Sequence, residues 1–168
     1  AMHNRDLTDN PPAPPSNKPR TRAFDFQLKV HNKSQPEIPG FIARIRSLTD
    51  EYADRFTLAE VGGDDAEKEM QEYTAAENHF NSAYNFNFLY ADQLTPALVR
   101  ESLEHWPNGE GIGWPSWALS NHDAPRWISR WAPKSHENSF ARMVMLLFIA
   151  LRGNIILWQG EELGLTQV

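Results

Sequence analysis

Apolar residues in the second quarter of the chain recur at helical spacing and then gather in short runs. Residues 38–54 place their apolar side chains on one helical face with charged residues opposite, which predicts an amphipathic helix. The apolar run 56–61 that follows is closed by two glycines, so we expect a short strand and a turn there. Asp64 or Asp65 is then placed to cap a polar helix that continues through Tyr73.

The alternation of strand and helix continues along the chain. Residues 86–90 form a run rich in aromatic side chains, which predicts a second strand. Thr95 followed by Pro96 indicates a helix start, with threonine as the N-cap and proline in the first turn, and the helix is expected to end at Trp106. The run 117–120 predicts a third strand.

A long apolar helix and a final strand complete this pattern. Residues 139–152 are apolar nearly all round, which predicts a deeply packed helix, and Gly153 is placed to end it. Residues 154–158 then predict a fourth strand. Four strands separated by helices require parallel pairing through crossover connections, so the predicted fold class is α/β.

Polar residues lie just after the predicted strands. Glu60, the triplet 121–123 and the pair Glu161 and Glu162 all follow a strand end, although the glutamate pair is most simply a helix start favoured by the helix dipole. A (β/α)8 barrel builds its active site from such positions, whereas the sequence has no glycine-rich phosphate loop that would favour an open nucleotide-binding sheet. A barrel has eight strands in about 250 residues. This chain therefore supplies the strands of about half a barrel.

The first 37 residues are predicted to form a loop or excursion, and residues 38–168 the barrel portion. Most of the twelve prolines lie in the first forty positions, where they disfavour regular structure. Residues 8–22 have the composition of a disordered segment. A few apolar residues alternate with polar ones and are instead expected to pack on another part of the molecule; these are Phe24, Phe26, Leu28 and Val30.

Charge and composition argue against several classes of protein. The net charge of −6 and the isoelectric point near 5.5 argue against a nucleic-acid-binding protein, whose contact surface is basic. The longest apolar stretch, residues 143–151, is too short to span a membrane. The absence of cysteine excludes disulfides and thiolate metal sites.

Glu60 stands where an apolar strand ends, at the expected mouth of the barrel. Partial removal of its carboxyl group from water at that place would let it keep a proton near neutral pH, as a general acid must. The alternative is a solvated glutamate at the end of a strand, which position alone favours. Both interpretations stay open on the spacing of the residues.

His122 and Asp123 follow another predicted strand, so in a barrel they face the same mouth. The alternative for the triplet that begins at Asn121 is a turn with a helix cap, because Asn and Asp are favoured in both settings. A zinc site built from His122, Asp123 and either His105 or His136 lacks the usual spacing of ligands. We therefore expect no metal and no cofactor.

Three strings follow the predicted strands at characteristic places: FTLAEVGG at 56–63, SNHDAPR at 120–126 and LWQGEELG at 157–164. In order and spacing they resemble the second half of the α-amylase superfamily, glycoside hydrolase family thirteen, and in particular its bacterial α-glucosidase branch. The likeness extends over almost the whole chain, with NSAYNF at 81–86 and TPALV at 95–99. It implies strands five to eight of a (β/α)8 TIM barrel, preceded by a loop that follows strand four.

The resemblance also implies a role for each polar residue. Glu60 matches the family's acid/base catalyst, and Asp123 matches the aspartate that grips the 2- and 3-hydroxyl groups of the sugar in the transition state. His122 assists that aspartate, Asn121 belongs to the same substrate-binding triplet, and Arg126 lies near the same subsite. The family's nucleophile is an aspartate in a Gly-Phe-Arg-x-Asp type of motif, which this sequence lacks.

The implied function is that of a segment of a retaining α-glucosidase acting on short, maltose-like α-glucosides, by hydrolysis or by glucosyl transfer. Such enzymes use a nucleophilic carboxylate and a carboxylic acid ~5–5.5 Å apart. Asp6 and Asp9 follow no predicted strand and do not replace the nucleophile, which we expect before Ala1. The segment alone should then be inactive. Its expected partners are the sugar and the N-terminal half of the barrel, with no nucleic acid and no membrane.

Two other interpretations remain. The superfamily includes non-catalytic barrel domains that are partner subunits of amino-acid transporters, and the presence of Glu60, His122 and Asp123 argues against that role. The other is an ordinary α/β binding domain without sugar chemistry. The expected compartment is the cytoplasm, with the periplasm as the alternative.

Overall fold

The computed structural model describes residues 4–16, 20–62, 65–106 and 113–168. Helices and strands alternate along most of these residues. Their bounds are α1 Ile38–Thr49, β1 Leu58–Ala59, α2 Ala66–Glu72, β2 Ser82–Asn85, α3 Pro96–Glu104, β3 Pro115–Ala118, α4 Trp127–Trp131, α5 Glu137–Ala150 and β4 Asn154–Ile156. Two 3₁₀ turns lie at Ala23–Phe26 and Glu161–Leu163.

The four strands form one parallel sheet in the order β1-β2-β3-β4. Neighbours in the sheet are also neighbours along the chain, and a helix lies between each pair, so the unit repeats as strand, helix, strand. All strands therefore end at the same edge of the sheet, which we call the carboxyl edge. Paired residues include Ala59 with Ala83, Asn85 with Trp117, and Ala118 with Ile156.

The core lies between the sheet and the helices that cover it. Trp117 on β3 is fully buried, and its ring meets the edge of Phe88 at a centroid distance of 5.5 Å. Phe88 in turn lies 5.7 Å from Phe148 of α5. Each of these side chains stabilises the fold by about 1.5–3 kcal/mol through burial alone. Ser82 and Ser116 share a buried hydrogen bond of 2.6 Å between their hydroxyl groups, so the strands satisfy their small polar side chains internally.

The second strand lies earlier than the sequence predicts. It occupies Ser82–Asn85, and the aromatic run 86–90 forms a turn in which the Tyr90 N–H donates to Phe86 O. The reason is packing, because the small Ala83 has no exposed surface within the sheet, whereas Phe88 extends from the turn into the core. The prediction of a strand at 86–90 is therefore wrong.

The predicted deep burial of α5 is also wrong in the described residues. Val144 and Phe148 face the core, but Leu146 and Ile149 are 69% and 68% exposed. A single face of the helix thus packs on the sheet, although the sequence is apolar on both. In helix α1, likewise, Ile42 is the buried residue of the apolar face. This helix ends at Thr49, earlier than the predicted end near Asp54.

Apart from one 3₁₀ turn and one isolated bridge, the described residues before α1 form an irregular segment. Pro12 pairs with Gln27 in an isolated antiparallel bridge, which holds part of the segment proposed as disordered; residues 17–19 lie outside the described part. The side chains expected to pack elsewhere remain 38% to 53% exposed, namely Phe24, Phe26, Leu28 and Val30. The boundary between residues 37 and 38 stays a prediction. Among the described residues, no helix has the length and hydropathy needed to cross a membrane.

Candidate functional site

The carboxyl edge of the sheet carries the polar residues singled out in the sequence. Glu60 follows directly after β1, and the segment 120–126, which holds Asp123, follows β3. Adjacent strands lie about 4.8 Å apart, so the ends of β1 and β3 are separated by roughly 10 Å with β2 between them. The structure therefore brings the two acidic positions to one edge, while their side chains have different neighbours.

Glu60 is exposed at the rim of a cleft of about 410 Å³. The cleft is lined by apolar side chains of α1, among them Phe41, and by Tyr73 next to α2. Strand β1 pairs with β2 on one side, and no second strand pairs with it among the described residues. The Glu60 side chain is exposed, so the partial burial of the general-acid interpretation is not seen in the described residues, and the alternative of a solvated glutamate at a strand end describes its surroundings.

Tyr84 on β2 links the two ends of the site electrostatically. Burial raises the pKa of its hydroxyl group, and the negative charges of Glu161 and Glu60 raise it further. Its ring also lies 5.0 Å from that of Phe86. The pKa of Tyr84 is thus affected by one carboxylate that follows β1 and by one that follows β4. The sequence interpretation did not single it out; its signal was its place within the string at 81–86.

The triplet after β3 forms a compact turn. Asn121 Oδ1 accepts the backbone N–H groups of Asp123 and Ala124, each at 2.9 Å. His122 Nε2 lies 3.4 Å from Asp123 Oδ2, and these two side chains are 69% and 70% exposed. The His122 ring lies 6.1 Å from the ring of Trp158. The turn that we considered as the simpler alternative is therefore formed by Asn121, and it presents Asp123 and His122 to the solvent.

The same segment is tied to its surroundings at both ends. Ser120 is buried, and its Oγ accepts the N–H of Trp127 at 2.8 Å, at the start of α4. Arg126 Nη2 donates to the backbone oxygen of Gln159 at 2.7 Å, in the segment after β4. Arg126 Nη1 is buried and has no hydrogen-bond partner among the described residues. Arg126 thus connects the loop after β3 with the loop after β4.

Glu161 is a buried carboxylate that the sequence interpretation missed. It is 2% exposed, and its Oε2 accepts the N–H of Trp158 at 2.8 Å. Burial raises its pKa, while hydrogen bonds from Ser120 and Trp158 and the charges of Arg126 and Arg130 act in the opposite direction. A 3₁₀ turn does start at this position, as the glutamate pair suggested. No local signal distinguishes it from its exposed neighbour Glu162, because burial depends on the tertiary fold.

The histidines considered for zinc lie apart from the triplet. His105 Nδ1 is 2.7 Å from Glu67 Oε2, and His136 Nδ1 lies 3.3 Å from the backbone oxygen of Lys134. In the part of the chain that the structure describes, no three His, Cys, Asp or Glu side chains are grouped to hold a metal ion.

Comparison with known proteins shows a family and several named relatives. The family described as "Alpha amylase, catalytic domain" matches residues 8–168. The probable alpha-glucosidase of Rhizobium meliloti (strain 1021) is 35% identical over 173 residues, which are 99% of this chain and 31% of that protein. An oligo-1,6-glucosidase of Halalkalibacterium halodurans is 31% identical, over 79% of this chain and 26% of its own length. The chain thus spans less than a third of either relative.

Solved structures agree with this family. The crystal structure of an alpha-glucosyl transfer enzyme, XgtA, matches with a TM-score of 0.82 and 36% identity, over 98% of this chain and 31% of that chain. A trehalose-6-phosphate hydrolase of Bacillus licheniformis matches with a TM-score of 0.70 at 23% identity, which shows the fold alone, over 82% of this chain and 27% of that chain. These neighbours are TIM-barrel enzymes. The predicted fold class, an α/β arrangement of parallel strands from a (β/α)8 barrel, is confirmed.

Proposed function

Because the chain belongs to the alpha-amylase catalytic domain family, we propose that it is the segment of a retaining α-glucosidase that carries the acid/base carboxyl group. The observation that carries the proposal is the position of Glu60 after β1 and Asp123 after β3, at one carboxyl edge of a parallel sheet. Barrel enzymes assemble their active sites at this edge. The relatives' names support a short α-glucoside as the substrate, by hydrolysis or by glucosyl transfer.

In the proposed mechanism Glu60 acts twice. As an acid it donates its proton to the glycosidic oxygen while the bond from that oxygen to the anomeric carbon breaks and a nucleophilic carboxylate bonds to that carbon. As a base it then removes a proton from water, or from an acceptor hydroxyl group, whose oxygen displaces the carboxylate. Its solvent-exposed position at the rim of a cleft is accessible to both the leaving group and the incoming hydroxyl.

The segment after β3 is proposed to bind the sugar. Asp123 is exposed and would accept hydrogen bonds from ring hydroxyl groups, which strengthen as positive charge develops in the transition state. His122 Nε2 lies 3.4 Å from Asp123 Oδ2, and the His122 ring is proposed to offer a further nitrogen to the sugar. Asn121 Oδ1 already accepts the two backbone N–H groups of the turn. Its proposed hydrogen bond to the substrate is therefore donated by the side-chain Nδ2. Arg126 is proposed to border the same subsite.

The proposal assigns the nucleophile to residues encoded before Ala1. The Gly-Phe-Arg-x-Asp type of motif does not occur in this sequence, and the match covers 31% of the Rhizobium meliloti relative. The remaining strands of the barrel would come from the same upstream part, so that the sugar and the N-terminal half of the barrel are the proposed partners. The cytoplasm, with the periplasm as its alternative, is the proposed compartment, which cell fractionation tests.

The substitution Glu60→Gln in the full-length gene product tests the proposal. It removes the proton donor with little change of shape, so we expect kcat on maltose to fall by about 100- to 10,000-fold. An aryl α-glucoside with a good leaving group needs less protonation, so its first step should be partly rescued in a burst experiment. Glu101→Gln, an exposed change of the same type on α3, serves as the control and should leave turnover unchanged. Unchanged maltose turnover in the Glu60 variant would end the assignment.

One observation favours the alternative, a non-catalytic amylase-like partner or binding domain. The Glu60 carboxyl group is exposed and lacks the desolvation that favours a general acid near neutral pH. A full-length gene product that binds glucose or an α-glucoside but turns neither maltose nor aryl α-glucosides over would support that alternative. Measurable turnover that depends on Glu60 excludes it.

A further inference from the structure

Glu161 is a buried charge-bearing group for which the proposed mechanism has no use. It is 2% exposed, and its Oε1 has no hydrogen-bond partner among the described residues. Burying a carboxylate destabilises a fold unless it is well paired. The described residues place no Lys, Arg or His nitrogen within an ion-pair distance of 4.0 Å of it. A group kept in such surroundings calls for a specific explanation.

The contacts of Glu161 join two loops of the carboxyl edge. Its Oε2 accepts the N–H of Trp158, in the loop after β4, and hydrogen bonding by the Ser120 side chain, in the loop after β3, acts to lower its pKa. Ser120 directly precedes the turn that presents His122 and Asp123. The Ser120 oxygen also accepts the N–H of Trp127, so this hydroxyl group connects the start of α4 with the carboxylate.

Two further contacts run in parallel between the same loops. Arg126 Nη2 donates to Gln159 O at 2.7 Å, and the rings of His122 and Trp158 lie 6.1 Å apart. Gly160 directly follows Gln159 and has a φ of +91°. A Cβ atom at this position would lie 3.4 Å from Arg126 Nη1. The loop after β4 is therefore packed closely beneath the loop that carries the proposed sugar-binding residues.

The charged and titratable groups that act on Glu161 come from three elements. Arg126 precedes α4 and Arg130 lies within it, and both carry the opposite charge. On β2, the pKa of Tyr84 is raised by burial and then by the negative charge of Glu161. Arg130 is itself committed to the backbone, since its guanidinium group donates to Leu119 O and to Ala91 O. Neither arginine forms an ion pair with Glu161 among the described residues, so their charges act on the carboxylate from longer range.

We propose that Glu161 is a positioning residue, which holds the loop 120–126 against the loop 157–162 and thereby fixes His122 and Asp123 for the sugar. The proposal rests on the function proposed above for Asp123. Glu161 is buried, so it acts through Ser120 and Trp158 and does not contact the substrate. The geometry predicts that loss of its charge loosens the loop after β3 without unfolding the barrel.

Glu161→Gln in the full-length gene product is the principal test. Glutamine has nearly the same shape, but it replaces a charge-assisted hydrogen bond from Ser120 with a weaker neutral one. We expect faster amide hydrogen exchange in residues 120–126, measured by mass spectrometry without sugar. We also expect kcat on maltose to fall by ~10- to 100-fold with KM within about twofold, because displacement of a transition-state contact has this effect. The melting temperature at pH 7 should not fall.

Glu162→Gln is the matched control. Glu162 lies in the same 3₁₀ turn, is exposed, and accepts the N–H of Gly160 at 2.9 Å, a bond that glutamine can keep. Its exchange rates and kinetics should equal those of the wild type. Ser120→Ala removes the other half of the contact, and its effect on kcat should not add to that of Glu161→Gln, since both changes break one interaction.

Each outcome decides the proposal. Unchanged exchange in residues 120–126 overturns it, as does faster exchange with unchanged kcat, and so does full additivity with Ser120→Ala. A loss of activity accompanied by a fall in the melting temperature at pH 7 would show a merely structural role and would overturn the proposal too. If the wild type turns over no α-glucoside, the proposed function fails, and the exchange measurement alone then decides whether Glu161 couples the loops.

Discussion

Gly153, between α5 and β4, occupies a backbone conformation that a side chain would disrupt. Its φ is +138°, and a Cβ atom there would lie 2.5 Å from Trp117 Nε1 and 2.8 Å from Pro115 O. Trp117 is held in place, because it is fully buried and its Nε1 donates to Arg152 O at 2.7 Å. We expect Gly153→Ala to cost about 1–3 kcal/mol in backbone strain and about 0.5–1.5 kcal/mol for the disturbed hydrogen bond, roughly 1.5–4.5 kcal/mol together.

The assay is urea unfolding of the full-length gene product, followed by tryptophan fluorescence, to which the buried Trp117 contributes together with the other tryptophans. Gly40→Ala is the matched control, because it lies in the first turn of α1 with no atom within 4 Å of a new Cβ. It should stabilise the protein by about 0.5–1 kcal/mol, since alanine favours helix more than glycine does. Equal unfolding free energies for the two alanine variants would refute the reasoning from close contact and positive φ.

Two further predictions concern charge and assembly. Burial raises the pKa of Glu161 above its ordinary value of 4.5, so the folded wild type holds this proton more tightly than the unfolded chain and loses stability as pH rises through the raised pKa. Glu161→Gln removes this titration, so its gain in melting temperature should be largest near pH 7 and shrink toward pH 4.5; a gain independent of pH contradicts this. Residues 1–168 expressed alone should associate or stay molten, because β1 and β4 each have one strand neighbour among the described residues and Leu146 and Ile149 are exposed. A monomer with a sharp cooperative melt, by size-exclusion chromatography and calorimetry, would contradict it.

Features that depend on a few neighbouring residues could be predicted from the sequence. Asp65 caps α2 by accepting the N–H of Lys68, and Thr95 caps α3 by accepting the N–H of Leu98 at 3.1 Å. The glutamate predicted to follow a strand end does follow β1. These predictions succeed because a cap or a strand end is set by local hydrogen bonding and by the change from apolar to polar residues.

Features that depend on packing between distant segments could not. The aromatic run at 86–90 has the composition of a strand, but Phe88 packs in the core beside Trp117. The strand is formed instead by Ser82–Asn85, which precede this run. The sequence left the exposure of Glu60 open between partial burial and solvation, and the side chain is exposed; Glu161 was interpreted only as part of a helix start, and it is buried. The exposure of these two side chains depends on which strands and loops pack against them. The pattern of apolar and polar residues along the chain does not show those tertiary contacts.

The opposite environments of Glu60 and Glu161 are what allow two carboxylates at one edge to take different roles. A group that donates a proton to a substrate must be reachable, and Glu60 lies exposed at a cleft. Glu161 is 2% exposed and accepts the N–H of Trp158, and the charges of Arg126 and Arg130 act to lower its pKa from longer range. The negative charges of both carboxylates raise the pKa of Tyr84 on β2, after the larger effect of its burial. Both side chains are carboxylates, so the two proposed roles differ in access: the proposed acid is open to a substrate, whereas the proposed positioning residue is enclosed by the protein.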